Sequence, residues 1–448
     1  MAHLIISVSG LRGIVGQHLT PEAALRYAAA FARLAPAGPI VVGRDSRPSG
    51  LMLQEAVLAA LHAAGRNTFQ AGIVPTPTLG VLVRKHQAAG GVMISASHNP
   101  LEYNGLKLFA SEGRIVPNHF GQQVLEGYRR GPGEWVPWHR IGVGQPCPDP
   151  IAPHIEAVLA VVDAQQIRAR SFKVLLDANH GAGAEAGRRL LDALGCQVVL
   201  VGGQADGQFE HPPEPTAENL VSLSTLVRQS GVDIAFAQDP DADRLAILDA
   251  TGRYLGEEAT LALCVDHVLK TRKGPIVTNC STSRMIEDLA RKYDVPFFRS
   301  PVGEPHVVDL MLAKDALFGG EGNGGPIDPR VGYVRDSLVG MALVLEAMAQ
   351  TGLSAAALAE QLPRYEIIKT KVRLEPGKVR DALDRLERHF SDSRADRLDG
   401  LRLDWPDRWL LVRPSNTEPI CRIVAEARAE ADAQQLAQQA VQVLKSLT

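Results

Sequence analysis

Short apolar runs and amphipathic segments alternate along the chain, and one arrangement of them recurs three times. Each copy has a β-rich apolar run, a loop of small polar residues, an amphipathic segment that ends near Gly or Asp, and a second apolar run. This order is typical of a β-α-β unit. The segments of the three copies are residues 39–43, 51–65 and 67–74, then 173–177, 184–195 and 197–201, and last 274–278, 284–293 and 296–299. The repetition predicts three similar α/β domains.

We place these domains at residues 1–150, 151–253 and 254–368. Residues 131–150 are rich in Pro and Gly and indicate a connector, because each proline fixes φ and removes a hydrogen-bond donor. The remaining residues, 369–448, follow another pattern. Their strands are predicted at 369–374, near 401–404, 409–412 and 421–427, and their helices at 378–390 and 431–444. This pattern predicts a smaller C-terminal α+β domain.

The composition restricts the class of protein. With 448 residues, 45% of them hydrophobic and 22% charged, the chain can bury several cores. The formal charge of -3 comes from 47 Lys and Arg against 50 Asp and Glu, and neither sign is clustered. We therefore expect no binding to nucleic acid.

The N-terminus and the cysteines indicate the compartment. Residues 1–13 lack the basic segment of a signal peptide, and no apolar run approaches the roughly 20 residues that span a bilayer. The five cysteines are scattered and show no C-x-x-C spacing, which argues against disulfides and against a zinc site. We expect a soluble, cytoplasmic protein without a membrane partner.

The first loop whose residues suit catalysis is predicted at residues 94–100, directly after an apolar run. Ser97 stands beside His98, and Lys107 follows ten residues after Ser97. A hydroxyl, a candidate proton acceptor and a positive charge are the parts of an activated nucleophile, and ligands collect at strand ends in α/β sheets. Taken alone, the same residues also fit an ordinary polar turn.

A second loop carries three aspartates, Asp239, Asp241 and Asp243, followed by Arg244. We expect the carboxylates to converge because extended backbone sends alternate side chains to one face. Three close carboxylates repel one another unless a hard cation with oxygen ligands compensates them. The spacing does not match a calcium-binding loop, so magnesium is the predicted ion. The alternative is an acidic hairpin edge.

Residues 319–326 form a glycine-rich third loop that contains Glu321 and Asn323. Glycines let the backbone approach a ligand closely, and a carboxylate beside an amide suits the vicinal hydroxyls of a sugar. The loop therefore predicts a sugar contact, although a flexible glycine turn fits the residues equally well.

The fourth loop, residues 413–419, is predicted between two strands, the second of which includes Arg422. The loop offers a guanidinium, two hydroxyls and an amide, which match the oxygens of a phosphate. These groups belong to Arg413, Ser415, Asn416 and Thr417. An ordinary loop between strands is the alternative.

Together the four loops, one in each predicted domain, resemble those of the α-D-phosphohexomutases, a family that includes phosphoglucomutase, phosphomannomutase and phosphoglucosamine mutase. The resemblance covers the whole chain, with the loops in the family's order. It implies three α/β domains with mixed sheets and a smaller C-terminal α+β domain around a central cleft. It also implies an isomerase that moves a phosphoryl group between two positions of a hexose.

The resemblance implies a role for each matching residue. Ser97 would carry a phosphate and share Mg²⁺ with the three aspartates, while Arg12 and Lys107 match the family's N-terminal arginine and catalytic lysine. We expect Lys107 and His98 to handle the proton and Arg12 to stabilise the transferring group. The expected substrate contacts are Arg244, Glu321, Asn323, Arg413, Ser415, Asn416, Thr417 and Arg422.

Four positions depart from the family's pattern. Ser95 replaces a threonine in the first loop, and Asn323 replaces a serine in the third. Glu304 and Gly325 stand where many members have histidines. The missing histidines favour a phosphoglucosamine mutase over a phosphomannomutase or phosphoglucomutase. The negative charge of Glu304 and Glu321 would also suit the amine of glucosamine.

Two other functions compete with this one. Residues 177–183 follow a predicted strand and open a helix, but their glycines lack the spacing of a dinucleotide-binding loop. A non-catalytic sugar-phosphate-binding protein would keep the phosphate loop without needing Ser97, Lys107 and three aspartates together. We expect a sugar phosphate as the ligand and a monomer or homodimer as the assembly.

Overall fold

A computed structural model describes residues 5–7, 10–415 and 419–445, and its first domain is built on a seven-stranded mixed sheet. The strands are β1 Ile5–Ser7, β2 Gly10–Ile14, β3 Ile40–Arg44, β4 Thr68–Ile73, β5 Gly90–Ile94, β6 Tyr103–Ala110 and β7 Gly144–Pro146. The helices are α1 Pro21–Leu34, α2 Gly50–Ala63, α3 Thr76–Lys85 and α4 Asn118–Arg130. The strand order is β1-β2-β6-β5-β3-β4-β7, in which β5, β3, β4 and β7 are parallel.

The second domain contains a four-stranded sheet of order β11-β10-β8-β9. Its strands are β8 Lys173–Asp177, β9 Gln197–Val201, β10 Ile234–Gln238 and β11 Leu245–Asp249. Its helices are α5 Ala152–Leu159, α6 Ala164–Arg168, α7 Gly183–Ala193 and α8 Val221–Ser230. Only β11 runs antiparallel to its neighbour, so this sheet is also mixed.

The third domain repeats this plan with the order β15-β14-β12-β13. Its strands are β12 Ile276–Asn279, β13 Phe297–Ser300, β14 Phe318–Glu321 and β15 Gly325–Ile327. Its helices are α9 Glu257–Thr271, α10 Met285–Lys292, α11 Glu304–Ala313, α12 Ser337–Thr351 and α13 Ala355–Glu360. The edge strand β15 is antiparallel to β14, and the other pairs are parallel.

The C-terminal domain differs, because all strand pairs of its five-stranded sheet are antiparallel. Its strands are β16 Glu366–Arg373, β17 Arg394–Asp396, β18 Leu401–Asp404, β19 Trp409–Pro414 and β20 Ile420–Ala427, in the order β16-β20-β19-β18-β17. Its helices are α14 Val379–His389 and α15 Glu430–Lys445. The structure confirms the predicted fold class, while the predicted domain limits stay a prediction.

The first three sheets share one strand order. When the four strands of each unit are numbered along the chain, starting at β3, β8 and β12, the order across the sheet is 4-3-1-2 in every case. Strands 1, 2 and 3 are parallel, and strand 4 returns antiparallel at the side of strand 3. The connection from strand 3 to strand 4 therefore has the same position in all three units.

Helix α12 holds the first three domains together. Residues 337–349 of this helix are all buried, which agrees with a sequence that is apolar on every side. One continuous apolar cluster contains Leu343 of α12, Val41 of the first domain and Ile155 of the second. The three sheets are thereby fixed in a shared core, which places their equivalent loops near one another.

Two further features agree with the chain's composition. All five cysteines are free thiols. Among the residues that the structure describes, no helix is both long and apolar enough to cross a bilayer.

Candidate active site

Three of the predicted loops occupy the equivalent connection between strands 3 and 4 of their units. The serine loop (residues 95–102) joins β5 to β6, and the aspartate loop (residues 239–244) joins β10 to β11. The third loop is a tight turn of residues 322–324 between β14 and β15, which we call the sugar hairpin together with those two strands. The fold repeat therefore brings three separate motifs to one place.

The structure corrects the prediction of a glycine loop over residues 319–326. Gly319 and Gly320 belong to β14, and Gly325 begins β15. A Cβ on Gly320 would lie 2.4 Å from the carbonyl oxygen of Gly325, so the two strands approach more closely than a side chain permits. The glycines thus serve strand packing as well as the turn.

Ser97 is held in a strained and buried turn. Its φ of 52° is unusual for a residue with a side chain. Its N–H donates to Ser95 Oγ at 2.8 Å, so the serine at position 95 supplies the hydroxyl that this turn uses. Arg47 donates to the Ser97 carbonyl oxygen at 2.7 Å. The Ser97 hydroxyl is thereby directed at the aspartate loop and donates to Asp239 Oδ2 at 3.0 Å.

The three aspartates do converge, but not through extended backbone. The loop is a compact turn in which Ala242 has a φ of 54°. Asp239 Oδ1 closes the turn by accepting the N–H groups of Asp243 and Arg244, both at 3.1 Å. The predicted cause of convergence is therefore wrong, because a turn brings one oxygen from each carboxylate within 4.8 Å of the others.

Lys107 offsets part of the negative charge. Its ammonium donates to Asp241 Oδ2 at 2.6 Å and to Asp243 Oδ2 at 3.1 Å. Burial opposes ionisation of Asp241, but Lys107 outweighs it and holds the pKa of this carboxyl below its usual range. Burial and the two neighbouring carboxylates instead raise the pKa of Asp239 well above its usual range. The cluster is therefore only partly compensated.

The unpaired atoms of the cluster fit a divalent cation. Asp241 Oδ1 and Asp243 Oδ1 are buried and have no hydrogen-bond partner. Buried acceptors without donors are costly, and an oxygen-only set of ligands suits a hard ion such as Mg²⁺. Together with Asp239 Oδ2 and the Ser97 hydroxyl beside it, these oxygens could hold such an ion.

A buried arginine that we did not select from the sequence joins this cluster to the sugar hairpin. Arg335 donates to Asp243 Oδ2 at 2.7 Å, to Glu304 Oε2 at 2.8 Å and to Glu321 Oε2 at 2.8 Å. Burial raises the pKa of Glu304 to about 7 in spite of this contact. The charge expected to favour an amine is therefore partly offset inside the protein, which weakens that part of the substrate argument.

A cavity of about 990 Å³ lies between all four domains and is the central cleft of the predicted fold. It is lined by most of the predicted substrate contacts and by several residues that we did not predict. The lining includes Arg12, His98, Lys107, Glu214, Arg244, Glu304, Glu321, Asn323, Arg335, Lys369, Lys371, Arg413 and Arg422. Predicted residues from all four domains thus line one space, although Ser97 and the three aspartates are not part of its lining.

The C-terminal wall of the cavity carries a row of cations. Arg413 on β19 lies opposite Arg422 on β20, and Arg422 lies opposite Lys371 on β16. Like charges directly across strands repel each other, and Asp399 Oδ2, which lies 3.1 Å from Arg413 Nε, offsets only part of this charge. A bound anion would therefore stabilise the row. Ser415 directly follows β19, whereas Asn416 and Thr417 lie outside the described residues.

The remaining predicted residues lie at or next to the serine and aspartate loops. His98 Nδ1 lies 3.4 Å from Ser97 Oγ, and burial together with nearby Arg244 and Arg12 lowers the pKa of His98 to about 2. Arg12 donates to Asn99 Oδ1 at 3.1 Å. Arg244 donates to Glu214 Oε1 at 3.2 Å.

Sequence reasoning missed Arg47, Arg335 and Lys371. Arg47 and Arg335 act through contacts with segments far away in the chain, which no local pattern reveals. Lys371 was detectable in principle, because it belongs to a predicted strand and only its neighbour across the sheet was unknown.

The chain matches four family models, all described as phosphoglucomutase/phosphomannomutase. Alpha/beta/alpha domain I matches residues 4–132, domain II matches residues 152–252 and domain III matches residues 257–365. The C-terminal domain model matches residues 370–443.

Individual proteins are similar over nearly their full lengths. A phosphoglucomutase/phosphomannomutase of Thermococcus kodakarensis is 35% identical over 446 residues, which covers 97% of each chain. A probable phosphoglucosamine mutase of Pyrococcus horikoshii is 33% identical and covers 98% of this chain and 97% of its own. A crystal structure from Burkholderia thailandensis, a phosphoglucomutase/phosphomannomutase family protein, superposes with a TM-score of 0.86 at 25% identity, covering 99% and 97%. The chain therefore belongs to the phosphoglucomutase/phosphomannomutase family and is a phosphohexomutase, an isomerase.

Proposed function

We propose that this chain interconverts a sugar 6-phosphate and the corresponding sugar 1-phosphate through a phosphate carried on Ser97 and a 1,6-bisphosphate intermediate. The observation that carries the proposal is one cavity with a row of cations at one wall and, at another, His98, whose Nδ1 lies 3.4 Å from Ser97 Oγ. A sugar phosphate held by Arg413, Arg422 and Lys371 would direct its free hydroxyl towards Ser97. Ser415, Asn416 and Thr417 are proposed to complete this phosphate site.

The proposed cation is Mg²⁺, held by Ser97, Asp239, Asp241 and Asp243. The unpartnered Oδ1 atoms of Asp241 and Asp243 support this assignment. When bound, the ion neutralises charge on the phosphoryl group during transfer. Lys107 and Arg335 then limit the mutual repulsion of the carboxylates that hold it.

In the chemical step, the free hydroxyl oxygen of the sugar forms a bond to phosphorus as the bond from phosphorus to Ser97 Oγ breaks. The sugar becomes a bisphosphate, and the hydroxyl proton must reach Ser97 Oγ. Burial disfavours the charge on Lys107, but Asp241 and Asp243 outweigh it and raise the pKa of Lys107, so this residue stays an ammonium whose charge can stabilise the departing oxygen. The lowered pKa of His98 keeps its ring neutral but makes it a weak base, so we propose that His98 orients the sugar hydroxyl while the proton of this hydroxyl passes to Ser97 Oγ. Arg12 stabilises the transferring group.

The second half of the reaction repeats this step with the other phosphate. The bisphosphate must turn around so that its original phosphate faces Ser97, which then takes that phosphate back. We propose that the C-terminal domain moves to allow this. Such a motion would separate the ion pair of Lys369 with Glu257, which joins the two sides of the cavity at 2.9 Å.

The sugar hairpin is proposed to contact the sugar hydroxyls mainly through Asn323. The Oδ1 atom of Asn323 is buried without a hydrogen-bond partner. The carboxylate of Glu321 is more fully used, since Oε1 accepts from Asn279 at 2.7 Å and from Gly303 at 3.2 Å, and Oε2 accepts from Arg335. Glu321 therefore contributes to the sugar site by holding the hairpin as well as by any direct contact.

We propose glucosamine phosphate as the preferred substrate, with glucose or mannose phosphate as the alternative. The absence of histidine at positions 304 and 325 and the similarity to the Pyrococcus horikoshii protein support the first. The similarity to the Thermococcus kodakarensis protein supports the second. Arg335 offsets part of the charge of Glu304 and Glu321, which weakens the preference of this site for an amine.

The test is a comparison of kcat/KM for glucosamine, glucose and mannose 6-phosphates. Each assay is primed with the matching 1,6-bisphosphate, and the 1-phosphate product is followed by phosphorus NMR. We expect glucosamine phosphate to give the highest value. A glucose or mannose phosphate preferred by about tenfold or more, which is roughly 1.4 kcal/mol of transition-state binding, overturns the substrate assignment. No turnover of any of the three overturns the proposed reaction.

A further inference from the structure

Arg335 contacts one carboxylate from each of three separate segments. Its Nη2 donates to Asp243 of the aspartate loop, its Nη1 donates to Glu321 of the sugar hairpin, and its Nε donates to Glu304 at the start of α11. All three guanidinium nitrogens are therefore used, and the side chain is only 10% exposed. A planar guanidinium is suited to hold several carboxylates in fixed positions.

The position of Arg335 is fixed from two sides. The next residue, Asp336, caps α12 by accepting the N–H of Leu338 at 2.9 Å, and it also contacts His154 at 2.7 Å. On the other side, the stem of Arg335 lies against the α-carbon of Gly325. A Cβ at position 325 would lie 2.4 Å from Arg335 Cδ, so the absence of a side chain there provides the space that the stem occupies.

Arg335 contacts only one of the two carboxylate oxygens of Asp243. Asp243 Oδ2 accepts from Arg335, which leaves Oδ1 without a hydrogen-bond partner in the proposed cation site. Glu321 shares the same guanidinium and is also bonded to Asn279 and Gly303. One cation thus links a proposed metal ligand to the part of the hairpin that forms the sugar site.

We propose that Arg335 is a positioning residue that couples cation binding by the aspartate loop to the position and charge of the sugar hairpin. The guanidinium is shared between Asp243 and the two glutamates, so a change at Glu321 alters how strongly Arg335 holds Asp243. The inference rests on the proposed function only in taking the aspartate loop as the cation site.

Replacement of Arg335 by methionine separates this role from a merely structural one. Removing a positive charge from beside a ligand carboxylate strengthens cation binding, so Arg335→Met is expected to bind Mn²⁺ roughly three- to tenfold more tightly. Its kcat is expected to fall by about tenfold or more, because Asp243 and Glu321 lose their common contact. A residue that only stabilised the fold would not tighten cation binding while slowing turnover.

A double-mutant cycle measures the coupling without any assay of turnover. Mn²⁺ affinity is measured by isothermal titration calorimetry in the unaltered protein, Glu321→Gln, Arg335→Met and the double variant. With Arg335 present, Glu321→Gln leaves the positive charge of Arg335 less compensated. This variant is therefore expected to weaken Mn²⁺ binding roughly threefold or more. In the Arg335→Met background the same change is expected to weaken binding by less than about twofold.

Two further variants keep the test usable if Arg335→Met does not fold. Arg335→Lys keeps the charge but cannot reach three carboxylates, so we expect Mn²⁺ affinity within about twofold of the unaltered protein and about a tenfold lower kcat. Gly325→Ala keeps every charge and displaces the stem of Arg335, so kcat is again expected to fall. Arg402, a buried arginine of the C-terminal domain, is the control, and Arg402→Met should leave Mn²⁺ affinity unchanged.

The outcomes separate this inference from the proposed function. Effects of Glu321→Gln that are equal with and without Arg335, or Arg335→Lys and Gly325→Ala variants with unaltered kcat, overturn the coupling alone. An unaltered protein that binds no Mn²⁺ overturns the proposed cation site and the coupling with it.

Discussion

Two buried polar clusters join domains of this protein, and they differ in how completely their atoms are paired. The first is the aspartate loop with Ser97, Lys107 and Arg335, and the second consists of Thr78, His154 and Asp336. In the second, the His154 ring contacts Thr78 at 2.8 Å and Asp336 at 2.7 Å, while the other oxygen of Asp336 accepts backbone N–H groups of α12. In the first, Asp241 Oδ1 and Asp243 Oδ1 have no hydrogen-bond partner.

The difference distinguishes a structural cluster from a functional one. Burying a polar group is tolerated when the protein itself supplies the partner, as it does for His154 and Asp336. The aspartate loop keeps unpaired acceptors beside a buried hydroxyl. Burial together with Asp241 and Asp243 also raises the pKa of Asp239, so ionisation of that carboxyl is unfavourable. We infer that the first cluster is built to receive a ligand and that the second holds the domains together.

If the first cluster is functional, removal of its nucleophile should abolish activity without unfolding the protein. Ser97→Ala is expected to lower kcat by at least about a thousandfold, because no other hydroxyl has this loop environment. The melting temperature should change little, since the hydroxyl donates only to Asp239, which keeps two backbone donors. Ser95→Ala, which removes a neighbouring hydroxyl, is the control for loop geometry. Wild-type-like turnover in Ser97→Ala would contradict the mechanism.

The next effect concerns the proposed cation. Asp241→Asn removes one anionic ligand, so the Mg²⁺ concentration for half-maximal activity should rise roughly ten- to a hundredfold, and excess EDTA should abolish turnover of the unaltered protein. Asp249→Asn is a matched control in the same domain, because Asp249 is buried but contacts only Thr251 and Arg253. Full activity in EDTA is incompatible with the proposed site.

The row of cations should act on substrate binding more than on chemistry. Arg413→Ala removes a charge-assisted contact worth about 1.5–3 kcal/mol, so KM should rise roughly ten- to a hundredfold. Steady-state kinetics of Arg408→Ala, at the other end of β19 and away from the cavity, should be unaltered. An unchanged KM in Arg413→Ala would mean that this wall binds something other than the phosphate.

A substitution in the second cluster should lower stability and leave activity unchanged. His154→Ala leaves Thr78 and Asp336 without a buried partner and is expected to lower the free energy of unfolding by roughly 1–3 kcal/mol. Its kcat and its Mg²⁺ requirement should stay within about twofold of the unaltered protein. Chemical denaturation and steady-state kinetics measure the two quantities. A loss of activity that exceeds the loss of folded protein would remove the distinction between the clusters.

Removing a carboxylate from the first cluster should stabilise the fold slightly, whereas removing His154 from the second should destabilise it. Because the pKa of Asp239 is raised, ionising this carboxyl destabilises the fold as pH rises from about 4, its usual value, towards the raised one. Asp239→Asn removes this penalty and should be more stable than the unaltered protein by about 1 kcal/mol in EDTA at pH 8, with a smaller difference near pH 4. Thermal unfolding at the two pH values measures it, and a variant less stable at pH 8 would be unexpected.

The sequence predicted the parts of the site that lie within single loops. The β-α-β repeats were visible because strand and helix patterns are local, and the four loops could be recognised from residues adjacent in the chain. The convergence of Asp239, Asp241 and Asp243 was also predicted, although its cause was not. A turn with Ala242 at positive φ produces it, and no pattern of side chains indicates that conformation.

The parts that sequence reasoning missed depend on distant contacts. Arg335 lies 92 residues from Asp243, and its importance appears only when the second and third domains are packed together. The sugar hairpin was mistaken for a loop because Gly319 and Gly320 have no side chain that signals a strand. The pairing of Glu304 with Arg335 likewise weakened a charge argument that the sequence alone supported.

The most direct test of the central claim follows one phosphate on Ser97. The protein is incubated with a radiolabelled sugar 1,6-bisphosphate, the labelled peptide is identified by mass spectrometry, and unlabelled sugar 1-phosphate is then added. We predict that the label lies on Ser97 and leaves it for the sugar at least as fast as kcat. A label on another residue, or a label on Ser97 that leaves more slowly than kcat, would contradict a mechanism that passes through phosphorylated Ser97.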